Sequence, residues 1–325
     1  MKNRPVGTAK SETVAALPLA CADERAAVEF LEAQRWAETG PHCPRCGDTD
    51  VVQMKARDGS RNARFLWRCH GCKSQYTVRV GLVMEDSAIP LRHWCAALWL
   101  ACASKKGCSA KQIQRMTGVS YKSALFLMHR IRYAMAGPDG GPMLVGTVEV
   151  DETYVGGKPR HKGTVPPGRP SPDRKAPVIA VVERSANGRT GRVRARVTAN
   201  TTAAELKAAV VACVDPSARI VTDEYQPYRR FAREFEGGHY TVKHKAGEYA
   251  RGDVHTNTVE GFFATFKRGL NGTYHAVSRE HLHRYVSEFE FRYNLRGVDD
   301  GERTGIAIRQ GEGRRLTYKQ QTGRA

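Results

Sequence analysis

Four cysteines fall into two Cys-x-x-Cys pairs, Cys43-Pro44-Arg45-Cys46 and Cys69-His70-Gly71-Cys72. Each pair belongs on a tight turn that aims two thiolates at one point, and two such turns complete a tetrahedral four-sulfur site for Zn²⁺. Four protein ligands leave no open coordination position, so this zinc is expected to be structural. The other five cysteines lie singly, and Cys95, Cys102 and Cys213 sit in apolar helical stretches as small core hydrophobes. A second set of residues is acidic. The run Val145 to Val150 leads into Asp151-Glu152, and Arg219 to Thr222 leads into Asp223-Glu224, so two strand-like segments each deliver a carboxylate at their C-terminal end. Further on, His255 to Glu260 opens a helix on which Asn257, Glu260, Ala264 and Lys267 share one face. Hard oxygen ligands of this kind suit Mg²⁺ or Mn²⁺ and phosphodiester chemistry at a two-metal site. Taken singly, each acid reads as an ordinary strand-end or first-turn residue. The combination on one basic chain favours the metal site.

That basic character is pronounced: the 325 residues carry 52 Lys and Arg against 33 Asp and Glu, a formal net charge of +19. Such an excess points to a polyanionic partner, most often nucleic acid. With 41% hydrophobic and 26% charged residues the composition is that of a folded chain with about two domains. The longest strongly apolar run, Trp94 to Ala103, is too short to span a bilayer. Val14 to Ala20 ahead of Cys21 resembles a secretion signal only superficially, being short and interrupted by Pro18, so a cytoplasmic protein is expected.

The elements that must hold these groups can be traced along the chain. Residues 1–40 open with a frayed stretch, then a short amphipathic helix from Asp23 through Ala27, Phe30, Leu31 and Trp36. Residues 41–82 form a small β module around the cysteines, with strands at Asp50 to Met54 and Arg64 to Arg68. Residues 88–136 give three helices, Pro90 to Ala103, Ala110 to Met116 capped by Ser109, and a third running to Met135 after Gly118-Val119-Ser120. This is a helix-turn-helix pattern, suited either to DNA contact through Ser120, Tyr121 and Lys122, with His129, Arg130 and Arg132 as further backbone contacts, or to a plain three-helix bundle. The breakers from Gly137 to Pro142 mark a boundary. Residues 143–296 then read as three strands, Leu144 to Val150, Pro177 to Glu183 and Arg192 to Thr198. A helix (Thr202 to Cys213), a strand (Arg219 to Thr222), a helix (Pro227 to Phe235), a strand (Tyr240 to His244) and two long helices, Thr256 to Leu270 and Arg279 to Arg296, complete an α/β sheet. Residues 297–325 read as a loose basic tail. Gly156 to Lys175 is a Gly/Pro-rich loop with six Lys or Arg, among them Lys158, Arg160 and Lys162, suited either to phosphates or to a solvated hairpin tip. Tyr154, Tyr225, Tyr228 and Tyr274 suit base stacking or packing, and His255 lies where it would assist proton transfer.

From about Asp23 to Arg296 the chain resembles the bacterial insertion-sequence transposases of the DDE type, in the branch with an N-terminal zinc ribbon and an ISXO-type catalytic domain. The resemblance rests on CPRCG and CHGC, KKGCSAKQIQRMTGVSYKSA, VEVDETYVGGK, TDEYQPYRRF, and the stretch from HTNTVEGFFATFKRG to FEFRYNLR. It implies a ribonuclease-H-like α/β domain behind a zinc ribbon and a helix-turn-helix-like segment. It also implies double-stranded DNA as partner, a homo-oligomer on that DNA, and metal-dependent end cleavage followed by transfer of the 3′ hydroxyl into target DNA. Asp151 and Asp223 match the first two metal ligands, Glu260 is favoured as the third with Asn257 as the alternative, and Lys267 is expected to contact a phosphate. Two other functions remain open, a catalytically inactive DNA-binding relative and a structure-specific nuclease.

Overall fold

The computed structural model describes residues 12–137, 141–156, 175–186, 188, 190–244, 247–248 and 250–322. They belong to two units, one of Met1–Gly137 with Val298–Ala325 and the other of Pro138–Gly297. In the first, α1 (Glu12–Ala22) is a helix rather than a frayed end, although Pro18 lies within it. Burial of Leu17 and Ala20 supplies what local propensity lacks. α2 (Glu24–Arg35) starts where the Asp23 carboxylate accepts the Ala26 N–H at 2.8 Å. It buries Ala27, Val28, Phe30 and Leu31. Strands β1 (Val51–Gln53), β2 (Trp67–Cys69) and β3 (Gln75–Tyr76) form an antiparallel sheet with Val51 opposite Cys69 and Trp67 opposite Tyr76.

A module this small needs outside support. Glu32 on α2 accepts the Trp67 indole N–H at 2.7 Å, and the buried Arg35 guanidinium donates to the Val78 and Val80 carbonyls at 2.9 and 2.7 Å. Three helices follow, α3 (Leu91–Ala103), α4 (Ala110–Thr117) and α5 (Tyr121–Met135). Pro90 offers no side-chain cap to α3. Glu24 of α2 takes that role, accepting from Leu91 N and Arg92 N at 2.7 and 3.2 Å. The tight turn after α4 is made by Gly118 at φ +75°, a left-handed conformation that favours glycine.

The second unit is a five-stranded mixed sheet in the order β6-β5-β4-β7-β8, built from β4 (Thr147–Val155), β5 (Ala176–Glu183), β6 (Val193–Val197), β7 (Arg219–Thr222) and β8 (His239–Thr241). β4, β5 and β6 pair antiparallel, whereas β7 and β8 join β4 in parallel. The first strand therefore runs five residues past Val150, because β5 stays paired with it out to Val155. Alternation along β4 serves two cores. Val148 and Val150 pack with α6 (Ala203–Val211) and with Tyr228 on the short α7 (Gln226–Arg229), and the other face lies toward Val259, Phe262 and Phe266 of α8 (Asn257–Gly269) and Phe289 of α9 (Arg279–Asn294). The expected helix from Pro227 to Phe235 is only α7 and a 3₁₀ turn, Ala232–Glu234. A two-stranded hairpin, β9 (Ala250–Arg251) and β10 (Val254–His255), leads into α8.

The chain then returns to the first unit. The expected loose tail contains α10 (Asp300–Arg309), capped by Asp299, and α11 (Tyr318–Thr322). Gly305 lies against the Gln34 amide of α2, and Arg303 donates to the Cys102 carbonyl at 3.0 Å. Among the described residues, no helix is long and apolar enough to cross a membrane.

Candidate active site

The cysteine quartet is assembled as its spacing implies. The four sulfurs lie within 4.8 Å of one another, with Cys43 Sγ to Cys72 Sγ and Cys46 Sγ to Cys69 Sγ both 3.6 Å. A tetrahedron with Zn–S bonds of about 2.3 Å has S···S edges of about 3.8 Å, so the cage fits zinc without rearrangement. Trp36 closes one side, meeting Trp67 edge to face at 5.1 Å. Cys95 and Cys102 are buried in the helical core, and Cys213 packs partly buried against the sheet.

In the other unit, the parallel pairing of β4 with β7 brings Asp151 and Asp223 to neighbouring strands, and α8 crosses the same sheet face. Burial raises the Asp151 carboxyl to about 6, and negative charge on Asp223 and Glu260 adds to it against the Glu152 N–H and the Lys267 ammonium. Asp151 therefore lies within electrostatic reach of the other three side chains. Glu152 is pushed up to about 7, again mainly by burial, although the Tyr228 hydroxyl donates to it at 2.5 Å. Asp223 accepts the Tyr225 N–H at 2.9 Å. Glu260 accepts from Thr256 Oγ1 at 2.9 Å and lies 3.7 Å from His244 Nε2. On α8 the exposed side holds Asn257, Glu260, Ala264 and Lys267, opposite the buried Val259, Phe262 and Phe266, so the shared face expected of them is present. The acids are more open than the thiols: among the described residues, only the four cysteines bring at least three ligand atoms within 4.8 Å of one another. Carboxylate oxygens are the hard donors a divalent cation prefers, and the charge of such an ion would favour the ionised form of Asp151.

Glu149, two residues before Asp151, is the group that sequence reasoning missed. It is fully buried, and its carboxylate accepts Thr258 N at 2.8 Å, Val259 N at 2.9 Å and the Thr258 hydroxyl at 2.8 Å, pinning the first turn of α8 to β4. Arg184 donates to the same carboxylate at 2.5 Å and to the Asp253 and His255 carbonyls at 2.6 Å each. His255 is drawn into this network, with Nδ1 3.3 Å from Glu149, and His244 is the imidazole beside Glu260. A glutamate at alternating spacing from Asp151 was the available signal, but the preceding residues read as a plain apolar strand.

Among the proposed DNA contacts, Ser120 caps α5 by accepting Ser123 N at 3.1 Å, while Tyr121 and Lys122 are exposed. Lys111 Nζ lies 4.7 Å from the Tyr121 ring centre. Arg130 is buried instead, donating to the Leu316 and Glu85 carbonyls at 3.1 and 2.7 Å, and His129 and Arg132 are buried as well, so these three are interior residues and not backbone contacts. Lys158, Arg160 and Lys162 lie outside the described residues.

Residues 143–294 match the ISXO2-like transposase domain, and residues 22–75 match the transposase zinc-ribbon domain. A protein of Halobacterium salinarum described as an uncharacterized protein in transposable element ISH50 is 28% identical over 285 residues, covering 83% of this chain and 90% of that one. The chain thus carries a transposase zinc-ribbon domain, with its four thiols assembled, followed by an ISXO2-like transposase domain, and is similar to a protein of an insertion element.

Proposed function

We propose that the protein cleaves the ends of its element to leave a 3′ hydroxyl and joins that hydroxyl to target DNA. What supports this reading is the placing of Asp151 and Asp223 just beyond the parallel pairing of β4 with β7 in the transposase domain, with Glu260 and Lys267 on the one exposed face of α8. Asp151, Asp223 and Glu260 would hold Mg²⁺ or Mn²⁺, which when bound activates the attacking oxygen and stabilises the leaving one. Asn257, at the first turn of α8, is the alternative ligand or a substrate-orienting group. Lys267, two turns beyond Glu260, would neutralise a DNA phosphate as a point charge. Glu149 holds the first turn of α8, which carries Glu260, against β4, which carries Asp151. The strand order, three antiparallel strands followed by two parallel ones, is consistent with a ribonuclease-H-like domain.

The zinc ribbon and the α3–α5 segment would address double-stranded DNA through Ser120, Tyr121 and Lys122. Lys158, Arg160 and Lys162 add basic charge after β4. Two element ends must be processed together, which suits a homo-oligomer on DNA, and the reducing cytoplasm suits its free thiolate cage. The test is incubation of full-length protein with labelled element-end duplex, target plasmid and Mg²⁺. The expected products are ends with a free 3′ hydroxyl and joined target molecules. Cleavage without joining would indicate a nuclease, and binding with neither would indicate an inactive relative.

A further inference from the structure

The four tyrosines near the acids separate into two kinds. Tyr228 is fully buried with its hydroxyl on Glu152, and Tyr274 donates to Glu288 at 2.7 Å with its ring 4.7 Å from Tyr285, so both are packing residues. Tyr154 and Tyr225 remain 42% and 37% exposed. They stand three residues beyond Asp151 on β4 and two beyond Asp223 after β7, and their hydroxyls meet at Thr201, whose Oγ1 is 3.0 Å from Tyr154 Oη and 3.3 Å from Tyr225 Oη. Tyr228 braces the Tyr225 ring edge-on at 6.1 Å. With the hydroxyls occupied by Thr201, what these side chains offer outward is ring surface held in place.

Beside Tyr154 opens a cavity of about 330 Å³, lined also by Val155, Lys267, Asn271 and His275. This is about the lower size of a small-molecule site, enough for one nucleotide unit. Its wall is irregular in two ways: Leu270–Tyr274 is a π turn, and His275 holds φ +60° although it is not glycine. Backbone of both kinds concentrates at functional sites.

We propose that Tyr154 and Tyr225 form a stacking shelf for unpaired bases of the DNA strand entering the acidic site; this rests on the proposed function and names the form of its substrate there. In duplex DNA the base faces are already covered by neighbouring pairs, so exposed rings select splayed bases, and stacking tolerates any sequence. Rings fixed in advance lose little rotamer freedom on binding. Lys267 at the cavity supplies the charge for the adjoining phosphate.

The test compares full-length protein on element-end duplexes that are blunt or carry a short unpaired 3′ tail containing 2-aminopurine, with Ca²⁺ to prevent cleavage. Wild type is expected to bind the tailed duplex more tightly and to quench the 2-aminopurine. Tyr154→Ala or Tyr225→Ala should cut the tailed-to-blunt affinity ratio by about tenfold, the scale of one stacked base, while Tyr154→Phe and Tyr225→Phe keep it. Should an alanine variant fail to fold, wild-type quenching and the phenylalanine variants still decide. Absence of quenching, an unchanged ratio in folded alanine variants, or phenylalanine variants that lose as much as alanine would each overturn the shelf. If wild type binds and cleaves element ends without preferring the tail, the shelf fails alone. If it binds neither duplex, the proposed function fails with it.

Discussion

At the scale of single residues, Glu149 does more to hold the acidic site than any group legible from chemistry alone. Its two oxygens take two backbone N–H groups and a hydroxyl from α8 and face Arg184. Removing a buried, paired carboxylate leaves those donors and the guanidinium without it, so Glu149→Ala should destabilise the protein by about 3 kcal/mol in chemical denaturation. It should also speed hydrogen exchange at the Thr258 and Val259 amides. Exchange at wild-type rates would mean that α8 is held by its apolar face instead. His239 gives a pH signature. Burial, with Arg233 and Arg229 nearby, pushes its imidazole down to about 4, and its Nε2 lies 2.9 Å from the Thr222 hydroxyl. The folded state keeps the ring neutral while the unfolded chain protonates it near 6.5, so this stabilisation is complete above about 6.5 and is lost as pH falls toward about 4. His239→Gln should flatten the fall in melting temperature over that interval; an identical slope would contradict the assignment.

At the scale of elements, the zinc ribbon stands on a cage of four sulfurs and on a few hydrogen bonds from α2. Freshly purified protein should hold one Zn²⁺ per chain, and Cys43→Ser or a strong chelator should unfold the ribbon while the transposase domain keeps its melting transition. Metal analysis finding no zinc in reduced protein would overturn the assignment. These elements also show where sequence was informative. The cysteine pairs, the Ser109 and Ser120 caps and the apolar period of α8 and α9 carry local signals, and each formed close to its expected bounds. What stayed hidden depends on contacts between distant segments. α1 gains its burial from neighbouring helices, α10 looks polar although it packs on α2 and α3, with Gly305 where a side chain would signal packing, and β4 is prolonged by its partner β5. The face shared by Asn257, Glu260 and Lys267 was readable from period alone, whereas the roles of Glu149, His244 and His255 depend on which strand lies under the first turn of α8.

At the scale of the whole molecule, a formal charge of +19 sets the terms of DNA binding. If six or more phosphates are neutralised, affinity should drop by on the order of a thousandfold between about 50 and 200 mM salt. A flat response in a binding titration would point to another kind of partner. Binding and cleavage are separable in this account, because the surface charge lies largely outside the acidic cluster. The most direct measurement is therefore Mg²⁺-dependent cleavage of element-end DNA by wild type beside Asp151→Asn, Asp223→Asn, Glu260→Gln and Asn257→Ala, with DNA binding and folding measured on the same preparations. The account predicts that both Asp variants and Glu260→Gln bind DNA but lose cleavage by several orders of magnitude, the scale of metal-based charge stabilisation, and that Asn257→Ala loses less. Cleavage by the folded Asp151 and Asp223 variants at the wild-type rate would contradict it.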